Sequence, residues 1–581
     1  GDAWEGANRT LLYLFVFALF ACWPLTGATA SLLLCLWVAG MIGVGVFVLL
    51  HLAGAGEGEI QRLLPYGRLL YPSGYPNANA AQWLIAFWPA LLLARSVRLA
   101  PVVRGALSGG CVLFALLALL SQSRGSFYAT PIMLILVFAL VPGRARTFAA
   151  LVPVAAGIAL AAPSTLKVSS RLQSGLDAHP ELHTAIVTTL VAAVAVALLV
   201  FLAAELERRL EVTGAARIRA RRAVGTVALV GGVAVVAGGW LALGNPVARA
   251  EHAWNTFKGG DSEETPSGSR LISGLGSSRY DVYRVALDEL LVHPVLGIGV
   301  DNFEQEYLVH GRSLESPHYP HSVELRTLVE TGLVGALLAI GGLAGALVAA
   351  IGGIRRRAQT DPLGAQASVA ALAGFAYWTI HGSFDWFFEY AGLGASAFAL
   401  LGIACGLATR RSDGGRRRPT SVRRRSVLLA LGTLLAAAGV VSLGLPWLSQ
   451  LEIERAARIW PSSPATAYSR LERAASLDPL SDEADSVAGS IAVREGELPR
   501  AQRFFAKALQ RSPRDAYVTL ELGAIASESH HPGRALGFLR RAVSLDPRQA
   551  QFEKTLDTAR RGLRVNVQEL NRALLLEGQQ R

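Results

Sequence analysis

About a dozen stretches of roughly 20 apolar residues, separated by short and mostly basic connections, dominate the first three quarters of this 581-residue chain. They fall near 10–27, 29–50, 82–100, 103–120, 126–141, 147–163, 183–204, 223–243, 325–353, 363–381, 391–409 and 426–447. In a bilayer a backbone with no water to bond must satisfy itself, so such stretches imply helices. The expected fold is therefore all-α: a polytopic membrane domain over residues 1–447, followed by a domain of soluble character over 448–581. Charged residues make up only 17% of the chain, well under the ~25% usual for a soluble protein.

The net charge of +12 does not point to a nucleic acid. The arginines concentrate in alternate connections: Arg95, Arg98 and Arg104; Arg144 and Arg146; Arg208 through Arg222; Arg355-Arg356-Arg357; and Arg410 through Arg425, which includes Arg416-Arg417-Arg418 and Arg423-Arg424-Arg425. That alternation is the positive-inside pattern and places these connections in the cytoplasm. The segments 52–80, 121–126, 164–182, 244–324 and 382–390 are then external, as is the tail after Trp447. Cys22, Cys35, Cys111 and Cys405 all lie in apolar segments without CxxC or Cys/His spacing, so neither a disulfide framework nor a zinc site is expected. The chain opens on Gly1 and its only methionines are Met41 and Met133, so a preceding segment is expected.

The tail repeats every 34 residues. Pro479, Pro513 and Pro547 recur at that interval, as do Ala467, Ala501 and Ala535, Ala474, Ala508 and Ala542, and Gly489 and Gly523. Small residues in register with a closing proline resemble the tetratricopeptide repeat, which predicts an α-solenoid. The usual first-helix aromatics are absent: Asp485 and Ala492 stand there in one unit, Thr519 and Ala526 in the next. Solenoids of this kind usually offer a concave surface to a protein or glycan partner, and packing against the membrane domain is the plainer alternative.

The long external segment 244–324 carries the unusual chemistry. It contains Ser278-Arg279-Tyr280-Asp281-Val282-Tyr283-Arg284, then His293-Pro294-Val295-Leu296-Gly297-Ile298-Gly299, then Pro317-His318-Tyr319-Pro320-His321-Ser322 ahead of a helix bearing Leu325, Leu328, Val329, Glu330 and Gly332. An imidazole at the mouth of a membrane helix can act as a base near neutral pH. Arginines beside it can hold a diphosphate by paired hydrogen bonds.

An arginine before an amphipathic helix, a Pro-x-x-Gly-x-Gly turn and a histidine before Leu-x-x-Leu-x-Glu-x-Gly resemble the signature of the O-antigen ligase and O-antigen polymerase superfamily. Tyr75-Pro76-Asn77-Ala78-Asn79 and Ser123-Arg124-Gly125 are similar to two further stretches of that family, and the resemblance spans most of residues 60–410. It implies a GT-C-like glycosyltransferase that works on undecaprenyl-diphosphate-linked glycans at the outer face of the bilayer. The donor glycan would pass to a glycan, lipid or protein acceptor with no cofactor and no metal. The family generally places about nine crossings before the large loop; eight are counted here, consistent with a missing first helix.

On that resemblance His321 is the base, and Arg124 and Arg279 stabilise the leaving diphosphate. Arg284, His318, Asn77, Asn79, His381 and Asp385 are expected to bind substrate or support those groups. Which of Arg279 and Arg284 reaches phosphate stays open, His318 competes with His321, and His293 reads as a turn residue. Trp386, Phe387, Phe388 and Tyr390 also suit an interfacial aromatic belt. Ligase and Wzy-type polymerase share these motifs. A transporter would instead show inverted repeats with buried charges, and a scaffold displaying the repeats would need no His/Arg constellation.

Overall fold

The computed structural model describes residues 2–209, 279–313, 316–409 and 422–580, together with Glu251, Trp254, Asn255 and Lys258. The crossing expected at 223–243, most of the loop 244–278 and the cluster Arg416-Arg417-Arg418 lie outside the described residues. Among those residues all regular structure is helical.

The membrane part contains α1 (Asp2–Cys22), α2 (Gly27–Gly54), α3 (Glu57–Leu63), α4 (Pro76–Ala94), α5 (Pro101–Leu120), α6 (Arg124–Leu140), α7 (Arg144–Gln173) and α8 (His179–Arg209). Beyond the large loop's first portion come α9 (Arg279–Val292), α10 (Phe303–His310), α11 (Val323–Thr360), α12 (Pro362–Gly382), α13 (Ala391–Thr409) and α14 (Val422–Ile459). Nine of the described helices are long and apolar enough to cross a bilayer: α1, α2, α5, α7, α8, α11, α12, α13 and α14.

Two expected crossings differ from that reading. The stretch 126–141 forms α6, which is apolar but short. The stretch 82–100 stops at Ala94 because Arg95 turns its guanidinium to the Pro142 carbonyl (2.7 Å) and Thr147 Oγ1 (2.8 Å). Its helix, α4, is buried along nearly its whole length, with α5, α12, α2 and α6 packed around it. A helix sheathed by protein need not be apolar enough for lipid, so α4 can start with Asn77 and Asn79 at the bundle centre.

The two ends of the bundle are chemically distinct. At one, Ser96 Oγ bonds Gln366 (2.6 Å), Arg104 pairs with Glu207 (2.8 Å) and Arg357 with Asp361 (2.7 Å). These are the basic connections. At the other end the segments around Asn77, Ser123, Arg279, Glu324 and Asp385 touch one another.

The large loop meets this second end through an interlock of glycines. α11 breaks at Gly332 (φ 62°, ψ −167°). The turn 294–299 lies against the break and takes up its hydrogen bonds. Leu333 N donates to the Pro294 carbonyl (2.9 Å), Ile298 N to Val329 (2.9 Å) and Gly299 N to Glu330 (3.0 Å). A Cβ on Gly297 would lie 2.5 Å from the Glu330 carbonyl carbon, and one on Gly332 would strike the Val295 carbonyl. The two glycine motifs are therefore halves of one joint.

α14 continues without interruption past Trp447 to Ile459 and packs on α15 (Pro464–Leu477). It is followed by α16 (Glu483–Arg494), α17 (Leu498–Arg511), α18 (Ala516–Glu528), α19 (Pro532–Leu545), α20 (Ala550–Arg560) and α21 (Val567–Gln580). This C-terminal array has its own core. Ala467, Ala501, Ala535, Ala474, Ala508 and Ala542 are all buried in the array. Gly489 and Gly523 leave room for Phe505 and Leu539, each 2.7 Å from where a Cβ would stand. Asp485 pairs with Arg511.

Gly332→Ala should lower stability by about 1–3 kcal/mol, the usual cost of a strained left-handed backbone, with more from the clash. Thermal unfolding in detergent measures it, and Gly341→Ala, in open space on the same helix, should be near neutral. Separately, cysteines placed at exposed Arg144 and Ser174 bracket α7. An impermeant maleimide should label each from the opposite side of a sealed vesicle.

Candidate functional site

The site grows from one buried carboxylate. Asp385 is fully buried and sits in the turn between α12 and α13. A charge there needs donors, since an isolated carboxylate in a dry interior is costly. Tyr75 supplies its hydroxyl (2.8 Å), Asn77 its amide (2.6 Å), Arg279 a guanidinium nitrogen (3.4 Å) and Trp386 its backbone N–H (2.9 Å). Asn77 is held in turn by Arg68, which donates to its carbonyl oxygen (3.0 Å). Three segments distant in sequence, around Asn77, Arg279 and Asp385, thus meet at a single group.

His321 stands beside this knot. Its backbone carbonyl accepts from Tyr283 Oη (2.8 Å), which fixes it against α9. Its Nδ1 is sealed from solvent and has no hydrogen-bond partner among the described residues. Burial pushes the imidazole down to about 4; Asp385 pulls it back up and Arg279 lowers it further. The ring is therefore neutral at physiological pH, with a free lone pair or N–H aimed into the interior.

His381 is also fully buried, but both ring nitrogens are occupied: Nδ1 faces Tyr377 Oη at 3.0 Å and Nε2 faces Ser123 Oγ at 3.4 Å. Ser123 caps α6 by accepting from Ser126 N. Arg124 opens that helix, next to the histidine. Gly125 is required for this approach, because a Cβ there would lie 2.5 Å from His381 Nε2. The Ser-Arg-Gly stretch is thus the seat on which His381 rests.

The remaining expected residues are placed elsewhere. Asn79 is wholly buried and donates to the Leu69 carbonyl (3.2 Å) and Ser121 (3.1 Å), tying α4 to its neighbours. Arg284 faces away from Asp385; it holds Asp281 (2.8 Å), Asp288 (3.0 Å) and the His310 carbonyl (2.7 Å). His318 is exposed and pairs with Glu304 at 2.5 Å. So Arg279, not Arg284, is the arginine at the Asp385 knot, and His321, not His318, is the histidine beside it.

Three features escaped the sequence. Tyr75 and Arg68 complete the Asp385 knot: Tyr75 heads the Tyr75-Pro76-Asn77-Ala78-Asn79 stretch but was given no role of its own, and only closeness to Asn77 signals Arg68. Arg326 pairs with Glu330 (3.0 Å), Asp301 and Glu389, lies 4.2 Å from the Tyr319 ring centroid, and is joined there by Arg9. In this second buried ionic knot Arg326 stands at a variable position of the Leu-x-x-Leu-x-Glu-x-Gly motif and Glu330 is the motif's glutamate. Glu289, Glu306 and His310 also bring three ligand-type atoms within 4.8 Å of one another. They are already engaged: His310 Nδ1 is 3.0 Å from Glu289, and Arg514 of the C-terminal array is 2.7 Å from Glu306.

Residues 184–340 match the family model described as O-antigen ligase. That match supports a relationship of this stretch to the O-antigen ligase superfamily. No curated protein matches it. The O-antigen ligase match contains Arg279 and His321, whereas Asn77, Arg124, His381 and Asp385 lie outside it, and the fold joins the two groups. The family supports a membrane glycosyltransferase-like activity of ligase or polymerase type.

Asp385→Ala should destabilise the protein by about 3–5 kcal/mol, as expected when one partner of a buried pair is removed. Denaturant unfolding in nanodiscs measures the loss. Ser383→Ala, which removes an exposed bond to Glu324 and a bond to the Thr379 carbonyl within its own helix turn, should cost about 1 kcal/mol.

Proposed function

We propose that this chain transfers a glycan from an undecaprenyl-diphosphate-linked donor to an acceptor hydroxyl at the outer face of the cytoplasmic membrane, as an O-antigen ligase does. The observation that carries the reading is the sealed, unpartnered Nδ1 of His321 beside the Arg279–Asp385 pair. A base needs an unengaged lone pair; the neutral imidazole offers one at Nδ1 in its Nε2–H tautomer, and the acceptor hydroxyl would meet it on entering the site. The outer face follows from the basic connections, which gather at the opposite end of the bundle.

In the proposed step the acceptor O–H gives its proton to His321 Nδ1. The acceptor oxygen bonds the anomeric carbon as the bond from that carbon to the phosphate oxygen breaks, and the electron pair leaves with undecaprenyl diphosphate. Arg279 and Arg124 face the charge that develops on the leaving group, where fixed cations in a dry site act most strongly. Arginine thereby takes the part a metal ion has in other glycosyltransferases. Asp385 orients Arg279 and balances its charge before the donor arrives. Under this assignment the C-terminal array is external and tetratricopeptide-like, facing a protein or glycan partner.

Transfer from a native lipid-linked glycan in EDTA tests the reading. His321→Ala should lower the rate by about 100- to 10,000-fold, the usual range for a lost base, while His318→Ala should leave it nearly intact. The active form is neutral His321. kcat/KM should therefore stay flat as pH falls through 6.5 and drop only near its value of about 4. An acid limb near 6.5, or an active His321→Ala protein, would overturn the assignment. Single additions of glycan are expected; a ladder of products would mean polymerisation.

A further inference from the structure

α9 carries two opposite faces of chemistry. Toward the site it presents Arg279 and Tyr283, one helical turn apart, on Asp385 and the His321 carbonyl. Away from the site it presents Asp281 and Arg284. Asp281 accepts from Tyr307 Oη (2.8 Å), Arg284 (2.8 Å), Arg312 N (2.5 Å) and Ser313 N (3.2 Å). Burial pushes this carboxyl up, but the donated bonds hold it below its ordinary value. Val282, Val285, Ala286, Phe303, Tyr307 and Val329 form the small core that unites α9, α10 and the start of α11.

The C-terminal array grips the far side of that core. Arg548 donates to the Leu308 carbonyl (3.0 Å) and to the Ser313 carbonyl, and its guanidinium lies 5.0 Å from the Tyr307 ring centroid. Arg514 pairs with Glu306 at 2.7 Å. Tyr307 and Ser313 therefore stand between Arg548 on one side and Asp281 on the other. Asp281 lies two residues from Arg279 on the same rigid helix.

We propose that Arg548 is a positioning residue: through Tyr307, Ser313 and Asp281 it fixes the register of α9, so that the C-terminal array sets how Arg279 meets Asp385 and the leaving diphosphate. The contact chain stands on geometry alone; what Arg279 does at its end rests on the glycosyltransferase reading. Coupling of this kind travels through packed side chains and hydrogen bonds joined to a rigid element. The array is thereby more than a display surface, because a partner that pulled it off α10 would loosen the diphosphate-binding helix.

The test uses the full chain in nanodiscs and two readouts, amide hydrogen exchange over α9 and glycan transfer from the lipid-linked donor. Arg548→Ala should speed exchange over residues 281–292 by about tenfold. It should cut kcat by about 10- to 100-fold, the scale of an ångström-level misplacement, with the acceptor KM unchanged. Arg548→Lys should restore part of both. Because Arg548→Ala could simply misfold, a charge swap supplies a second arm: Arg514→Glu should loosen α9, and adding Glu306→Arg should tighten it again. Unchanged α9 exchange in both Arg548→Ala and Arg514→Glu overturns the proposal, as does faster exchange with an unchanged kcat. If the wild type transfers no glycan, the functional reading fails, and the exchange data alone still decide whether the array holds α9.

Discussion

A carboxylate with no access to water must be surrounded by donors, and much of this molecule's second end is arranged around that need at Asp385. Its partners come from the start of α4, the start of α9 and the turn after α12. None of these segments would meet through hydrophobic burial alone, since apolar helices in lipid lack a strong mutual attraction. The charge supplies direction where packing cannot. It also explains why α4 begins with polar residues in the middle of the bundle: Asn77 is there to be a donor, and Arg68 keeps its amide turned the right way. The same pull holds Arg279 inward, so the one arginine of the loop that reaches the knot is already seated before any substrate binds.

The glycine joint solves a different problem. A loop histidine near a membrane helix would ordinarily wander, and its pKa would stay near that of free imidazole. Here the break at Gly332 lets the turn 294–299 replace the missing helical bonds, which binds the loop to α11 through backbone groups. His321 lies just ahead of that helix and is clasped again by Tyr283. Fixing the backbone on both sides buries the ring. Burial then keeps the base neutral at physiological pH.

Motif order in the sequence brought His321 and Arg279 forward as candidates, with His318 and Arg284 as competitors, because the spacing of arginine, turn, histidine and Gly332 follows the backbone joint that holds them. Alternating basic connections likewise separated the two ends of the bundle. The residues that sequence could not sort were those whose role depends on direction. Asn77 and Asn79 differ by two positions, about 200° around a helix, so one faces Asp385 and the other the Leu69 carbonyl. Arg279 and Arg284 differ by five, which turns Arg284 toward Asp281 and away from the knot. Tyr75 and Arg326 were given no role because Asp385 and Glu389, which they reach, lie 310 and 63 residues away in the chain. The end of α4 at Arg95 was likewise invisible, since it reflects what surrounds the helix rather than what composes it.

The continuity of α14 changes what the C-terminal array can do. A flexible linker would let the array sample many orientations, and its contacts with the loop would be incidental. A single helix from Val422 to Ile459, packed on α15 and fastened to α1 by the Ser442–Asn8 bonds (2.7 Å from Asn8 to the Ser442 carbonyl), leaves little such freedom. The array is then held at two points, the membrane helix and the Arg514 and Arg548 contacts on α10. A body fixed at two points resists rotation about either one. Force applied to its surface is therefore borne partly by α10, and through Tyr307 and Asp281 by the helix that carries Arg279.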